Sequence, residues 1–85
     1  MSQTLNKIIR AYPDEKFVMV KGFGDAVIGI DLDSGRLIYS VGKCIDVLMY
    51  DDEMPFEDAV LYFEKNVRDQ YEDVENGPIW ANTEF

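Results

Sequence analysis

Apolar residues recur at helical spacing near the N-terminus of the chain. Leu5, Ile8, Ile9 and Tyr12 fall at positions i, i+3, i+4 and i+7, which places them on one stripe of an amphipathic helix. Because proline cannot continue a helix, the pattern predicts a helix over residues 1–13 that ends at the first proline of the chain. A helix this short is marginal alone, so we expect it to pack against a core.

Two more helices are predicted in the second half of the chain. The first covers residues 41–50 and follows Ser40, whose hydroxyl can accept a backbone N–H as an N-cap. The second covers residues 56–74 and ends before the turn-forming run Asn76-Gly77-Pro78. The apolar stripe that we expect to face the core in this second helix comprises Phe56, Val60, Phe63, Val67, Tyr71 and Val74.

Between the first two helices, short apolar runs bounded by turn residues predict a β-meander over residues 16–40. Its strands are residues 16–21, 26–31 and 36–40. We expect Gly35 to adopt the positive φ that closes the second hairpin. Residues 79–85 form the tail, in which Ile79 and Trp80 allow a short fourth strand. The order of elements predicts an α+β fold, with a small antiparallel sheet packed against two or three helices.

The composition narrows the classes of function. The chain has 85 residues, enough for one domain over residues 1–85, and its 17 acidic and 8 basic residues give a net charge of −9. Surfaces that bind phosphate are basic, so the charge argues against direct binding to nucleic acid or to anionic membranes. The chain has no histidine, which excludes a histidine triad or metal ligand. We expect no enzyme activity, because so short a chain rarely builds a walled active-site cleft.

The single cysteine, Cys44, lies on a helical stripe and is expected to be a small core residue. No apolar N-terminal run resembles a signal peptide, so we expect a cytoplasmic protein.

The run Asp31-Leu32-Asp33-Ser34-Gly35 resembles part of a calcium loop, but Gly42 stands where the closing glutamate is required. We expect neither a metal nor another cofactor. A core of this size supplies only about 3–5 kcal/mol of net stability, and a homodimer would add burial.

Five short motifs follow one another between Phe23 and Trp80. They are the hairpin run Ile28 to Ser40, the pair Leu48-Met49, the turn Asp51-Asp52-Glu53-Met54, the helix residues Glu57, Ala59, Phe63 and Asn66, and the pair Pro78-Ile79. In this order they resemble a family of small proteins encoded by bacteriophages and prophages. The resemblance implies an α+β fold and a bacterial host cell. It implies no activity, since the family has no assigned chemistry. Small acidic phage proteins often inhibit host enzymes, which suggests a partner by analogy.

The negative charge is concentrated in the second half of the chain. Residues 1–45 carry six basic and five acidic side chains, whereas residues 46–85 carry two basic and twelve acidic ones. Such a face suits a partner protein with a basic surface, and complementary potential speeds association. We therefore interpret the chain as a non-enzymatic acidic module that inhibits a host nucleic-acid-binding or defence enzyme by occupying its basic groove. The candidate partner-binding residues are Tyr50, Asp51, Asp52, Glu53, Glu57, Asp58, Leu61, Tyr62, Asp69 and Asp73.

An alternative assigns the charge to solubility. Pairs at i,i+4, such as Glu64 with Arg68, neutralise part of the charge and favour this interpretation. Leu61 and Tyr62 would then join copies of a self-associating structural or assembly protein, together with an exposed strand edge. We expect Asn66, at the edge of the buried face, to hydrogen-bond the backbone of the hairpin.

Overall fold

The computed structural model describes residues 3–82 and has an α+β fold with a small open sheet. The elements are α1 (Gln3–Ala11), a 3₁₀ turn (Gly24–Ala26), β1 (Val27–Asp31), β2 (Arg36–Ser40), α2 (Val41–Asp51), α3 (Phe56–Tyr62), a π-helix (Phe63–Arg68), α4 (Asp69–Tyr71) and β3 (Ile79–Ala81). The segments α3, π-helix and α4 follow one another without a break, and we call them together the C-terminal helix. None of the helices in the described residues is long and apolar enough to cross a membrane.

The sheet has the strand order β1-β2-β3. Strands β1 and β2 pair antiparallel, whereas β2 and β3 pair parallel, with Ile38 opposite Ile79. The predicted α+β class is therefore confirmed, and the short strand at Ile79 and Trp80 forms. The prediction of an antiparallel meander is wrong, because the third strand comes from the C-terminal end of the chain and runs parallel to its neighbour.

Residues 16–21 do not form the first strand of the predicted meander. Val20 is buried, and its backbone N–H donates to the hydroxyl of Tyr39 at 2.9 Å instead of to a strand carbonyl. Gly22 follows with a φ of +87° and turns the chain into the 3₁₀ helix. Phe17 packs on the core from the same segment. Side-chain burial and one side-chain hydrogen bond thus replace the backbone ladder that a strand requires.

The hairpin between β1 and β2 forms as predicted. Gly35 has a φ of +71°, and its N–H donates to the carbonyl of Asp31 at 2.7 Å. The Asp31 carboxylate accepts bonds from the N–H of Asp33 at 3.2 Å and from the hydroxyl of Ser34 at 2.8 Å. Both oxygens of this carboxylate therefore hold the turn, which is the local role expected of aspartate in a short loop.

The core lies on one side of the sheet. Tyr39 and Leu37 of β2 point toward the helices and are almost fully buried. Trp80 of β3 packs on the ring of Tyr39 at 5.5 Å and edge-on against Phe63 of the C-terminal helix at 5.2 Å. Because side chains alternate along a strand, Ile38 points to the opposite side. The helices thus cover one face of the sheet.

The buried face of the C-terminal helix differs from the predicted stripe. Phe56 is 55% exposed, so the prediction that it is buried is wrong. The buried positions are Ala59, Phe63 and Val67, continued by the half-buried Tyr71, at a repeat of four residues. In an α-helix a repeat of four drifts by about 40° per step. The π-helix from Phe63 turns more slowly per residue, which offsets that drift and keeps these side chains on the core.

The C-terminal helix ends at Tyr71, three residues before the predicted end. A Cβ at Gly77 would lie 3.0 Å from the carbonyl oxygens of Tyr71 and Val74, so glycine permits this close approach. Arg36 of β2 then fixes the chain leading into β3. Its Nε donates to the carbonyl of Gly77 at 2.6 Å, and its Nη2 donates to that of Pro78 at 3.3 Å.

Candidate functional site

All ten candidate partner-binding residues lie on the surface. Tyr50 at the end of α2 is 83% exposed, and Leu61 and Tyr62 of α3 are 58% and 42% exposed. Phe56, which was expected in the core, is another exposed aromatic residue on the same part of the chain. The end of α2 and the exposed side of α3 therefore present aromatic and aliphatic side chains among carboxylates.

The turn between α2 and α3 orients these residues. The N–H groups of Asp52 and Met54 both donate to the carbonyl of Leu48, at 3.2 and 3.3 Å. Glu53, between them, has a φ of +53°, a left-handed conformation that usually carries glycine or asparagine. The turn ends α2 and leads the chain into α3. The acidic run Asp51-Asp52-Glu53 therefore lies at the end of α2, and the acidic run Glu57-Asp58 lies at the start of α3.

The carboxylates at this turn have no compensating cation nearby on α2. The last turn of α2 holds no basic residue, and acidic groups at a helix C-terminus oppose its dipole. In residues 3–82 the one ion pair joins Glu64 and Arg68 at 3.2 Å. Of the local pairs expected from the sequence, the structure thus forms this one, and the carboxylates of Asp51 and Asp52 stay unpaired within the described chain.

A groove of about 450 Å³ separates the second half of α2 from the C-terminal helix. We call it the helical groove. Its third wall is the loop from Val20 to Phe23. Asp51 and Asp52 line it from α2, and Tyr62 lines it from α3. Three of the predicted residues are therefore brought to one concave surface.

Two shallower depressions continue the helical groove. One of about 370 Å³ shares Tyr62 with it and adds Asp58 and Leu61. The other, of about 300 Å³, shares Asp51 and adds Tyr50. We call the resulting set the acidic band, which consists of Tyr50, Asp51, Asp52, Asp58, Leu61 and Tyr62. The remaining predicted residues do not line these three depressions; they are Glu53, Glu57, Asp69 and Asp73.

Sequence reasoning missed several residues of the helical groove. Lys21 brings a positive charge opposite the carboxylates, and Gln70 brings an amide. Asn66 was expected at the edge of the buried face, bonded to the hairpin, but it is exposed and lines the groove. Tyr62, Asn66 and Gln70 share the four-residue repeat of the neighbouring buried row, which is the signal that could have grouped them.

The one cysteine is unsuited to nucleophilic chemistry. Cys44 is fully buried, and burial raises the pKa of its thiol to about 12. A thiol attacks as its thiolate, so a thiol with this pKa is inert near neutral pH. The described part of the chain also brings together no three metal-ligating side chains that could hold an ion.

Comparison with models of protein families, with curated proteins and with solved structures finds no match to this chain. The resemblance to small phage-encoded proteins therefore stays a prediction from the sequence motifs. The candidate site is supported by the exposure, the charges and the depressions described above.

Proposed function

We propose that this chain is a non-enzymatic protein-binding module that docks its acidic band onto a basic surface of a partner protein. The setting we propose is the cytoplasm of a bacterial host, with a nucleic-acid-binding or defence enzyme as the partner. The observation that carries the proposal is Tyr50, which is 83% exposed beside the unpaired carboxylates of Asp51 and Asp52.

Exposed aromatic residues can anchor the partner on this surface. A tyrosine ring buries much apolar area on binding while its hydroxyl keeps a hydrogen-bond partner, and such residues are enriched in interfaces. Tyr50 and Tyr62 lie at the two sides of the helical groove, in depressions that adjoin it. A partner segment that fills the groove and extends past Asp51 into the adjoining depression would contact both rings.

The end of α2 and the turn after it are energetically unfavourable in the free protein, which also supports a role in binding. Asp51 and Asp52 oppose the dipole of α2, and Glu53 occupies a strained left-handed position. Local costs of this kind tend to persist where function requires them. A basic side chain from a partner would contact both the carboxylates and the negative end of α2. The repulsion between these groups, which destabilises the free protein, would then be offset by attraction to the partner in the complex.

The distribution of charge along the chain favours rapid association with a basic partner. Ten excess negative charges in residues 46–85 create a field that attracts a basic partner before contact. Once docked, the module would exclude nucleic acid from the basic groove of the partner, because it fills that groove and its negative charge repels the phosphates. This mode of inhibition requires no chemistry of the acidic chain itself.

Charge reversal tests the proposal against the partner recovered by affinity capture from a bacterial host. The variant Asp51→Lys with Asp52→Lys should slow association strongly and flatten its salt dependence, because rim charges act mainly on the encounter rate. The matched control makes the same charge change at Asp69 and Asp73, which lie outside the acidic band. The control should slow association far less. Circular dichroism verifies that both variants stay folded.

Equal slowing by the two variants would contradict docking through the acidic band and indicate only a general charge effect. No slowing by either variant would assign the charge to solubility. The alternative of a self-associating assembly protein would then be preferred, because Leu61 and Tyr62 are exposed at 58% and 42% and are available for contact between copies.

A further inference from the structure

Two side-chain amides in the helical groove are left unused by the protein itself. Asn66 and Gln70 lie on the wall formed by the C-terminal helix, and both are exposed. Neither amide makes a hydrogen bond within residues 3–82. An asparagine or glutamine side chain can accept and donate hydrogen bonds at the same time. The groove therefore offers two groups that can each bond a donor and an acceptor of the same ligand.

The spacing of the two amides matches the backbone repeat of an extended peptide. Four residues advance a helix by about 6 Å, and the π-helix over Phe63–Arg68 helps to keep a four-residue repeat on one side. In an extended chain, every second residue presents its N–H and C=O on the same edge, at intervals of about 6.6–6.8 Å. Asn66 and Gln70 can thus bond two such residues of one peptide. A helical ligand does not suit them, because its backbone groups already bond one another.

The charged residues of the groove indicate what else the peptide carries. Lys21 lies on the loop wall, and Asp51 and Asp52 lie on the wall at the end of α2. Within residues 3–82 no ion pair joins Lys21 to either carboxylate, although all three line one groove. A ligand between them meets a cation and two carboxylates. An arginine or lysine side chain suits the carboxylates, and a peptide carbonyl suits the ammonium group of Lys21.

Charge also distinguishes a basic peptide from the other extended chains that could lie in the groove. Residues 46–85 carry two basic and twelve acidic side chains, and this field repels an acidic peptide or a single-stranded nucleic acid. Among the residues that line the groove, Lys21 is the one cation such an anionic ligand would find. A basic peptide instead gains charge-assisted hydrogen bonds, which are stronger than neutral ones.

We propose that the helical groove binds an extended peptide segment with a basic side chain, whose backbone is bonded by Asn66 and Gln70. This inference rests on the proposed function and specifies the part of the partner that enters the groove, which is an exposed extended loop or terminal segment. Tyr62 precedes Asn66 in the same four-residue repeat, and its ring offers a face to a guanidinium group. The row from Tyr62 to Gln70 extends about 12 Å, the length of about four extended residues.

An NMR titration of the isotope-labelled full chain with the capped peptide acetyl-Ala-Arg-Ala-Arg-Ala-amide tests the proposal. The side-chain amide signals of Asn66 and Gln70 should shift, and the dissociation constant follows from the same titration. Two N-methylated forms of the peptide, one methylated on its arginines and one on its alanines, keep the charge. Each lacks the N–H groups of one edge of the extended chain. One form should therefore bind at least about tenfold more weakly than the other.

A pair of double variants separates the amides from general charge. Asn66→Ala with Gln70→Ala should weaken peptide binding at least about tenfold, and it should stay folded because alanine favours helices. The matched control is Glu64→Ala with Arg68→Ala. It has the same spacing on the same helix, also preserves the net charge and lies outside the groove. The control should leave the dissociation constant unchanged, and circular dichroism verifies the fold of both.

If the alanine variant fails to fold, Asn66→Asp with Gln70→Glu makes the same test with side chains of nearly the same shape. Binding should weaken in high salt, where the added negative charge is screened. Three results would overturn the proposal: amide signals that do not shift at millimolar peptide, N-methylated forms that bind equally, or a folded amide variant that binds like the control.

The proposed function can fail or survive separately from this inference. If the peptide does not bind but the captured partner still associates, and charge reversal at Asp51 and Asp52 slows that association, only the peptide inference is wrong. If the amides bind the peptide but charge reversal leaves association with the captured partner unchanged, the result counts against the proposed function only.

Discussion

The backbone N–H of Val20 donates a 2.9 Å hydrogen bond to the buried hydroxyl of Tyr39. This bond ties the irregular segment after α1 to the central strand of the sheet. It also places the loop from Val20 to Phe23 as one wall of the helical groove. A single side-chain acceptor therefore links the core to the candidate binding surface.

Tyr39→Phe should lower the free energy of unfolding by about 1–3 kcal/mol, because it leaves the buried N–H of Val20 without its acceptor. Urea unfolding measures the loss. Hydrogen exchange should be faster at Val20 in the variant. Unchanged protection at Val20 would show that this bond does not hold the segment.

Two phenylalanines of the C-terminal helix should respond differently to truncation. Phe63→Ala removes a fully buried ring that packs edge-on against Trp80, and should cost about 3–5 kcal/mol. Phe56→Ala alters a ring that is 55% exposed, and should cost under about 1 kcal/mol. Thermal unfolding of both variants compares them directly. Similar melting temperatures would mean that the buried face of the helix is assigned incorrectly.

Stability should fall in alkaline solution as the unfolded chain ionises at Cys44. Burial raises the pKa of this thiol from 9.0 to about 12. Above pH 9 the unfolded state therefore loses a proton that the native state retains. The free energy of unfolding should decline by about 1.4 kcal/mol per pH unit as that difference develops. Well below pH 9 the Cys44 thiol is protonated in both states, so the free energy of unfolding should not depend on it there.

Cys44→Ala is the control for that pH dependence, and it should remove most of the decline between pH 9 and pH 10. Burial also raises the pKa of Tyr39 above 10.0, so a second decline should persist in the variant at higher pH. A variant with the same slope as the wild type just above pH 9 would exclude the thiol as its source.

Two glutamates, one in the turn between α2 and α3 and one in the first turn of α3, should show opposite effects on replacement by glycine. Glu53→Gly relieves a left-handed backbone at φ +53° and should stabilise the chain by about 0.5–1 kcal/mol, after the entropy cost of glycine. Glu57→Gly, in the first turn of α3, should destabilise it by about 1 kcal/mol. Chemical denaturation distinguishes the two. Destabilisation by Glu53→Gly would show that the left-handed position carries no strain.

Local chemistry made part of the fold predictable. Gly35 closes the hairpin with the positive φ expected from its place in the turn, and the hydroxyl of Ser40 accepts the N–H of Lys43 as an N-cap. Each of these features depends on a few neighbouring residues. The surface positions of the seven acidic candidate residues were predictable as well, because charged side chains off the apolar stripe of a helix face water.

The features that the sequence did not reveal depend on distant contacts. Residues 16–21 look like a strand, but the Tyr39 hydroxyl and the core determine their conformation. The stripe beginning at Phe56 assumed an ideal α-helix, and the π-helix from Phe63 shifts the buried row. The helical groove needs three separate segments to meet, so no local pattern indicates that Lys21 and Gln70 share it.

The parallel pairing of β2 with β3 has a kinetic consequence. The β1–β2 hairpin closes a short loop, and hairpins form within about 1–10 μs. Ile38 must instead find Ile79 across two intervening helices, and such non-local contacts slow folding. We expect β3 to dock after the transition state. Weakening the contact of Trp80 with Phe63 should then accelerate unfolding while leaving the refolding rate nearly constant.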